Sequence, residues 1–468
     1  MTVSWTTAAD TNASVVVYGT GSPSNLTARA VGPGPAERYL YTFHHHVTLL
    51  DLEPGTTYYY KCGTDGAMSE TFSFKTAPDV RKSANASEHG FTVAVWGDMG
   101  AGNCSNATRG MIQTMSDKFD FVWHLGDIAY QDDYLFLDFA YERILDEYMQ
   151  EMEFTSARKP YMVLPGNHEV DCHAIICILD KTYRESLHNF TAYNTRWRMP
   201  SRESGGVMNM WYSFNYGNVH FVNLDAETDF PNAYEGEHDE FYLLDSGHFN
   251  PTPNAFLEWL ERDLQQAAAQ RHVRPWIVVG AHRPMYIFKN ASILREAVED
   301  LLSKYQVDLF VSGHIHSSYR TFPVYNGSFT TDYAKRDGKI VNIVAGGPGA
   351  IDRPMEESQE EGEAGKSLFS WGKSLFDGAS GIIRRWTWEG LGTWVGKQLY
   401  EGVIPRLTGS PHFGPGREEV SKKDLEFVAY HSDEKMFGLL HILDDKTLKW
   451  EFISGISGQV LDSITLTK

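Results

Sequence analysis

The sequence lacks any long hydrophobic run. None of its 468 residues falls in an apolar stretch of about eighteen residues, the length that a membrane-spanning helix requires. Its first residues, MTVSWTTAAD, contain neither a basic segment nor an apolar one, so no signal peptide is visible. We therefore expect neither a membrane-spanning helix nor a targeting segment within this chain.

Basic residues are also scarce. The chain has 41 Lys and Arg against 61 Asp and Glu, a net charge of -20. A nucleic-acid partner is excluded on this balance, because phosphate backbones demand a basic surface. This negative net charge would also repel a small phosphorylated substrate, unless bound cations make the binding site locally positive. Hydrophobic and aromatic contents of 42% and 13% are typical of a folded globular protein, and a length of 468 residues predicts two to three domains.

Cysteine is rare, while glycosylation sequons are frequent. Of the four cysteines, Cys62, Cys104, Cys172 and Cys177, the last two are close enough to bridge a small loop. The pairing stays open, and free buried cysteines are the alternative. The eight sequons lie at Asn12, Asn25, Asn85, Asn103, Asn106, Asn189, Asn290 and Asn326. Because chance supplies roughly three, we expect a secreted or lumenal glycoprotein whose targeting segment is not present in this chain.

Five apolar runs between Phe91 and Ser318 each end in residue types that bind metals. The runs are FTVAVW, FDFVWHL, PYMVLP, PWIVVG and VDLFVS, and they read as buried strands of a largely parallel sheet. In such sheets the functional groups gather beyond the carboxyl ends of the strands. One Asp at a strand end is often a helix cap, but five such endings are hard to explain as caps. The predicted ligands are Asp98, Asp127, Tyr130, Asn167, His282, His314 and His316.

The order of segments predicts a layered α/β (α+β) protein. Helical stretches such as YERILDEYMQEM and NAFLEWLERDLQQAAAQ alternate with the ligand strands. We predict a β-sandwich, a polar linker, a catalytic domain, an acidic and Trp-rich insertion, and C-terminal strands that complete the catalytic domain. Their bounds are 1–78, 79–90, 91–349, 350–425 and 426–468.

Two segments have competing interpretations. His44, His45 and His46 are adjacent on a predicted strand, so their side chains cannot converge on one metal, and surface or edge positions are expected. The helical face within 350–425 could contact a membrane, bind a partner or cover the active site. A helix packed on its own domain is the favoured interpretation.

The predicted ligands are all hard donors: carboxylate, phenolate, amide oxygen and imidazole. This set favours iron, manganese, zinc or magnesium. Seven ligands exceed the need of one ion, so two ions bridged by a carboxylate such as Asp127 are expected. The Tyr130 phenolate prefers a ferric ion, whose charge would generate hydroxide from bound water even in acid.

The motifs GDMG, GDIAY, GNHE, GAH and GHIH, in this order, resemble the metallophosphoesterase signature. The Tyr of GDIAY narrows the resemblance to the purple acid phosphatases. The resemblance implies a four-layer, calcineurin-like catalytic domain. It also implies that Asp98, Tyr130 and His316 hold Fe(III), that Asn167, His282 and His314 hold a divalent ion (Zn, Mn or Fe), and that Asp127 bridges both.

The N-terminal segment is similar to a fibronectin type III module, on the strength of Trp5 and the stretch LEPGTTYYY. Such a module normally has a strand before the one that carries the Trp. Met1 leaves no room for it, so the sequence predicts a truncated N-terminus.

The resemblance also implies an acid phosphatase that cleaves phosphate monoesters through attack by a metal-bound hydroxide. We predict catalytic roles for His168 and Glu169, which adjoin the ligand Asn167. His168 would either stabilise the transferring phosphoryl group or protonate the leaving oxygen, and a helix cap or fold-stabilising residue is the alternative. Arg283 and Tyr286 are candidate phosphate contacts, with packing as the alternative for each.

One departure from the family concerns the leaving-group acid. Plant members carry two further histidines where this chain has Ala291 and Ser292. The acid beyond His168, the physiological substrate, the divalent metal and the oligomeric state therefore stay open. The alternatives to a monoesterase are a two-metal phosphodiesterase or nucleotide pyrophosphatase, and a non-catalytic adhesion protein.

Overall fold

The computed structural model describes residues 1–11, 13–80, 90–132, 140–170, 188–234, 254–288, 291–349 and 424–468. Predictions for Asn12, Asn85, Asn290, Cys172 and Cys177, and for all but the last residues of the 350–425 insertion, lie outside these ranges. Within them, no helix combines the length and the apolar character needed to cross a membrane.

The first part of the chain forms two facing sheets. Its strands are β1 Thr2–Thr7, β2 Val15–Thr20, β3 Ala28–Val31, β4 Glu37–Tyr39, β5 Thr42–Thr48, β6 Thr57–Thr64, β7 Ala67–Met68 and β8 Phe72–Lys75. One sheet has the order β1-β5-β4, and the other has β3-β2-β6 with β7 and β8 on β6. Alternate side chains of both sheets point inward, as expected for a half-buried strand. The core between them comprises Val3, Val16, Val47, Leu49, Tyr58, Tyr60, Phe72 and Phe74.

Strand β5 contradicts the surface positions predicted for its histidines. His44 and His45 are only 2% and 1% exposed, and His46 is half-buried. Both His44 nitrogens bond to hydroxyls, of Thr6 at 3.2 Å and of Thr42 at 2.9 Å. The prediction was wrong because β5 is the central strand of its sheet and also faces the catalytic part of the chain. There, His46 Nε2 donates to the Thr195 carbonyl at 2.9 Å.

The rest of the described chain contributes fifteen further strands. They are β9 Phe91–Trp96, β10 Phe121–His124, β11 Tyr161–Val163, β12 Tyr212–Tyr216, β13 Val219–Asn223, β14 Trp276–Gly280, β15 Leu309–Ser312, β16 Ser318–Thr321, β17 Val324–Tyr325, β18 Ser328–Phe329, β19 Val341–Ala345, β20 Val428–Ser432, β21 Met436–Ile442, β22 Thr447–Ser454 and β23 Val460–Thr467. They build two large mixed sheets and a small hairpin, β17-β18.

The first large sheet has the order β11-β10-β9-β21-β22-β23, parallel among β9, β10 and β11 and antiparallel beyond. The second has the order β12-β13-β14-β15-β19-β16-β20, with β13, β14, β15 and β19 parallel. The strands that precede the ligands are parallel within each sheet, and two sheets between helices agree with the four-layer expectation. Apolar runs identify buried strands but do not say which strands are neighbours.

The two sheets pack face to face and are covered by helices outside. The core between them draws on alternate residues of both sheets, such as Val93 and Val95 from β9 and Val278 from β14. The intervening residues, such as Ala94 and Trp96, belong to the core beneath the helices. This burial of both faces explains the continuous apolar runs. The predicted layered α/β fold is confirmed.

The helices include the two predicted from periodicity. The α-helices are α1 Asn106–Thr114, α2 Ala140–Glu151, α3 Glu153–Ser156, α4 Thr191–Arg196, α5 Ser201–Ser204, α6 Ala255–Ala269 and α7 Ser292–Lys304. Short 3-10 helices span Asn103–Ser105, Ser116–Lys118, Asn167–Glu169, His188–Phe190 and Asp424–Phe427. Helices α2 and α6 match the YERILDEYMQEM and NAFLEWLERDLQQAAAQ predictions.

Candidate metal centre

The seven predicted ligands come together at one edge of the two large sheets. Asp98 follows β9, Asp127 and Tyr130 follow β10, and Asn167 follows β11, all in the first sheet. His282 follows β14, and His314 and His316 follow β15, in the second sheet. A backbone bond of 2.9 Å from Gly97 N–H to the Ala345 carbonyl joins the two edges. Parallel strands of both sheets therefore end at a shared site.

Four of these residues have left-handed backbone geometry. The φ angles are 59° at Asp98, 51° at Asp127, 54° at Tyr130 and 72° at His314. Such angles are uncommon outside glycine and cost roughly 1–3 kcal/mol each when the neighbouring structure imposes them. Clustering of this geometry in one place is typical of functional sites.

One group of donors centres on His282. Its Nε2 lies 3.0 Å from Asp127 Oδ2, 3.2 Å from Asn167 Oδ1 and 3.2 Å from His314 Nδ1. The other nitrogen, Nδ1, donates to the Leu125 carbonyl at 2.8 Å, which fixes the orientation of the ring. Asp127, His282 and His314 are all buried, and their ligand atoms lie within 4.8 Å of one another.

A second group of donors centres on the Tyr130 hydroxyl. This oxygen lies 2.6 Å from His316 Nε2, 3.0 Å from Asp98 Oδ1 and 3.4 Å from Asp127 Oδ2. His316 Nε2 is also 3.3 Å from Asp98 Oδ1. Asp127 Oδ2 therefore contacts both groups. Two sets of hard donors that share one carboxylate fit two cations, because each set offers three further ligands.

The electrostatics of the site fit the same chemistry. Burial raises the pKa of Asp98. Burial also acts to raise the pKa of Asp127, but nearby His282 and His168 bring it well below its usual range. Burial lowers the pKa of His282, yet the Asp127 carboxylate outweighs it and raises the value to about 9. Burial, and then Arg283, hold the pKa of His314 well below its ordinary value. Because the site is buried, the charge of each carboxylate depends on a nearby positive charge. Bound cations would supply that charge and stabilise both carboxylates.

Two motif glycines allow the ligands to approach closely. A Cβ at Gly166, of GNHE, would lie 2.3 Å from Asp127 Oδ1. A Cβ at Gly313, of GHIH, would lie 2.4 Å from Asp98 Oδ2. Any side chain at these positions would displace a carboxylate, so the glycine before each ligand has a steric purpose.

His168 and Glu169 differ in what they contact. The His168 ring packs against Tyr130 with centroids 4.2 Å apart, and its Nε2 lies 3.8 Å from Asp127 Oδ2. Its Nδ1 lies 2.8 Å from each carboxylate oxygen of Asp132. Asp132 was not among the predicted site residues. Its signal was the acidic residue two positions after Tyr130, in GDIAYQD.

Glu169 holds the backbone of the ligand loops. Its carboxylate accepts hydrogen bonds from the N–H groups of Asp127 at 2.8 Å, Gly166 at 2.8 Å and Ile128 at 2.9 Å. Burial, and then the charge of Asp127, raise the pKa of Glu169 to about 8. Because its oxygens face backbone amides, we assign Glu169 a positioning role instead of the predicted catalytic one.

Arg283 lies at the site, and Tyr286 does not. Arg283 contacts His314 Nε2 at 3.1 Å and Glu227 at 2.7 Å, and it stacks 4.1 Å from the Tyr234 ring centroid. Sequence reasoning missed Glu227, which follows the strand-end Asp225.

Tyr286 is 1% exposed. Its hydroxyl donates a hydrogen bond to Glu299, and its ring packs against Phe427. The prediction that Tyr286 contacts phosphate is contradicted, and its packing alternative holds. The buried Ala291 adds no polar group where plant members carry a histidine.

Two family patterns match the chain. Residues 91–318 match "Calcineurin-like phosphoesterase", and residues 1–76 match "Purple acid Phosphatase, N-terminal domain". An acid phosphatase of Aspergillus ficuum is 30% identical over 91% of this chain and 76% of its own length. Acid phosphatase type 7 of Homo sapiens is 33% identical over 75% of this chain and 76% of its own length.

The fold resembles that of a purple acid phosphatase from yellow lupin (Lupinus luteus) seeds. The TM-score is 0.65 at 20% identity, and the match covers 100% of this chain and 72% of the lupin chain. The structure of PhoD matches with a TM-score of 0.57 at 14% identity, over 99% of this chain and 84% of that one. At these identities the structural likeness concerns the fold alone.

Proposed function

The chain belongs to the purple acid phosphatases, and from that premise we propose that it hydrolyses phosphate monoesters at a centre of two cations, one ferric and one divalent. The observation that carries this proposal is the sharing of Asp127 between two sets of hard donors. Asp98, Tyr130 and His316 would hold the ferric ion. Asn167, His282 and His314 would hold the divalent ion, which would be zinc, manganese or iron.

Bound cations would neutralise the phosphoryl oxygens and lower the pKa of water, so that hydroxide is available to attack phosphorus. The chain's own residues position the substrate and protonate its leaving group. His168 lies beside the Asp127 carboxylate, and Asp132 holds its Nδ1, so Nε2 is the nitrogen directed at the site. That nitrogen is placed to donate a proton to the leaving oxygen of the ester. Arg283 adds a permanent positive charge beside His314, where it favours an anionic substrate.

We also propose that the protein is a secreted or lumenal glycoprotein. The asparagines of all five sequons in the described part of the chain, Asn25, Asn103, Asn106, Asn189 and Asn326, are exposed. Exposure supports this proposal because a glycan must project into solvent. Deglycosylation of the protein from its native source, followed by mass measurement, tests it. An unchanged mass would refute it.

The visible spectrum tests the ferric assignment. We expect a violet band from tyrosinate bound to ferric iron, absent in Tyr130→Phe. Tyr148→Phe is the matched control, because Tyr148 is equally buried but bonds to Tyr161 at 2.8 Å outside the metal centre. Two zinc or manganese ions per chain without a band would contradict the ferric ion and leave a two-metal phosphoesterase.

Hydrolysis of an aryl phosphate tests the reaction. Asp127→Asn should lower kcat by more than about 100-fold, because even partners of metal ligands cost 10–100-fold when they are removed. A diester and a nucleotide diphosphate should be assayed beside the monoester. Faster turnover of either would favour the phosphodiesterase or pyrophosphatase alternative. Undiminished turnover by Asp127→Asn would refute this centre as the active site.

A further inference from the structure

A buried arginine of helix α1 donates hydrogen bonds to the loop that carries Asp98. Arg109 is 6% exposed, and its guanidinium donates to the carbonyls of Gly100 at 3.3 Å and Gly102 at 2.9 Å. It also donates to the Ser105 hydroxyl and to Asn106 Oδ1. One side chain thus satisfies several acceptors of the segment that follows Asp98.

Glu151, the last residue of helix α2, completes this arrangement. It accepts from Arg109 at 2.8 Å, and its second oxygen accepts from the Gly102 N–H at 3.3 Å. The pair is well shielded, with side chains 7% and 24% exposed. Arg109 and Glu151 therefore join the helices that follow the first two ligand loops, and both contact Gly102.

The held loop also pairs with the loop of the next ligands. Backbone N–H groups of Asp98, Gly100 and Ala101 donate to the carbonyls of residues 126, 128 and 129, at 3.1, 3.1 and 3.2 Å. Gly100 and Gly102 have φ angles of 72° and 81°, so the loop has few side chains of its own to fix its course. Its position therefore depends on these backbone bonds and on the bonds that Arg109 donates to the Gly100 and Gly102 carbonyls.

We propose that Arg109 and Glu151 are positioning residues that hold Asp98 in register with Asp127 and Tyr130 and thereby set the affinity of the site for cations. This inference rests on the proposed two-cation function. Arg is suited to the task because its planar fork can reach two carbonyls and a carboxylate at once, and Lys cannot. Outer partners of this kind are typically worth 10–100-fold in metal affinity.

Three variants test the proposal: Arg109→Met, Arg109→Lys and Glu151→Gln. The control is Arg29→Met, which removes an exposed arginine–carboxylate pair with Asp65 in the first part of the chain. Chelator-treated protein is titrated with Zn²⁺ below its unfolding temperature, and the free energy of unfolding of the metal-free protein is measured separately. We expect Arg109→Met to weaken Zn²⁺ binding about 10–100-fold, Glu151→Gln to weaken it less, and Arg29→Met to leave it unchanged.

The titration distinguishes the possible failures. Unchanged Zn²⁺ affinity in folded Arg109→Met and Glu151→Gln would overturn the positioning role, even where the metal-free protein is less stable. If Arg109→Met does not fold, Arg109→Lys and Glu151→Gln decide alone. Wild-type protein that binds none of Zn²⁺, Mn²⁺ and iron would instead refute the proposed function itself.

Discussion

At the scale of single residues, the orientation of His168 depends on the Asp132 carboxylate. Both Asp132 oxygens lie 2.8 Å from Nδ1, so the carboxylate accepts the Nδ1 proton and supports the doubly protonated ring, whose Nε2–H is then directed toward the site. Asp132→Asn should therefore lower kcat for an aryl phosphate by about 10–100-fold, part of the roughly 10²–10⁴-fold that a positioned acid contributes. Steady-state kinetics measures this effect, and KM should change little.

A second histidine–carboxylate pair provides the control. His220 Nε2 lies 2.8 Å from Asp263 Oδ2, at the start of β13 and away from the metal centre. The same exchange, Asp263→Asn, should leave kcat unchanged. Equal kcat values for Asp132→Asn and wild type would remove His168 from the catalytic role given to it.

The glycine before His314 permits a second prediction. Gly313→Ala would place a Cβ 2.4 Å from Asp98 Oδ2 and 3.2 Å from Gly97 Cα, so the carboxylate must move. We expect Zn²⁺ affinity, measured by calorimetric titration, to fall by at least about 10-fold. Gly110→Ala is the matched exchange, because no atom lies within 4 Å of a Cβ there and the residue is inside α1. It should bind Zn²⁺ normally and gain about 0.5–1 kcal/mol in stability.

At the scale of secondary-structure elements, strand β5 makes stability sensitive to acid. Burial lowers the pKa of His44 from 6.5 to about 3, and Arg196 and the neighbouring histidines add to the effect. The unfolded chain therefore binds a proton between pH 6.5 and 3 that the folded chain does not. Stability from neutral His44 is complete above pH 6.5 and is lost as pH falls, at up to about 1.4 kcal/mol per unit.

His44→Gln tests this pH dependence. The amide stays neutral and keeps hydrogen-bonding capacity toward Thr6 and Thr42, so the free energy of unfolding should fall less steeply from pH 6.5 to 4. Urea denaturation at several pH values measures it. The exposed His272→Gln serves as the control and should keep the wild-type slope. A wild-type slope in His44→Gln would show that other groups dominate acid sensitivity.

The strands that precede the ligands and two of the helices were predictable from sequence, but which strands pair with one another was not. Strands β9 and β14 were recognisable because each is buried on both faces and ends in Gly or Ala before a ligand. Sheet membership depends on long-range pairing, such as β21 against β9, which no local pattern records. His44 was misplaced for the same reason, since an alternating strand does not reveal what covers its outer face.

Contacts within the site divide in the same way. The strand-end position brought Asp98 and His282 to the site from sequence, because parallel strands place their ends together. Asp132 and Glu227 support ligands through side-chain contacts that cross between loops, so spacing alone could not identify them. Tyr286 follows a ligand motif but turns into the core toward Glu299.

At the scale of the whole molecule, stability should depend on bound cations. The buried carboxylates of Asp98 and Asp127 destabilise the metal-free protein, and so does the left-handed backbone at four ligands. Chelation should lower the unfolding temperature, and added Zn²⁺ or Fe should restore it. Each ion should raise the free energy of unfolding by about 4 kcal/mol when its concentration is 1,000 times the Kd. Thermal unfolding monitored by fluorescence measures this shift. Asp127→Asn should respond weakly to either treatment, and a full response would place the stabilising ions elsewhere.

The division of ligands between the two large sheets constrains how the sequence can evolve. Among the seven predicted ligands, every oxygen donor follows a strand of the first sheet, and every imidazole follows a strand of the second. Neither half offers a complete set of ligands to either ion. A mutation that slides one sheet against the other therefore damages both ion sites at once, and only a compensating change in the opposite sheet can repair them. The packing residues between the sheets, such as Val95 and Val278, are thus expected to change in pairs over the history of the lineage.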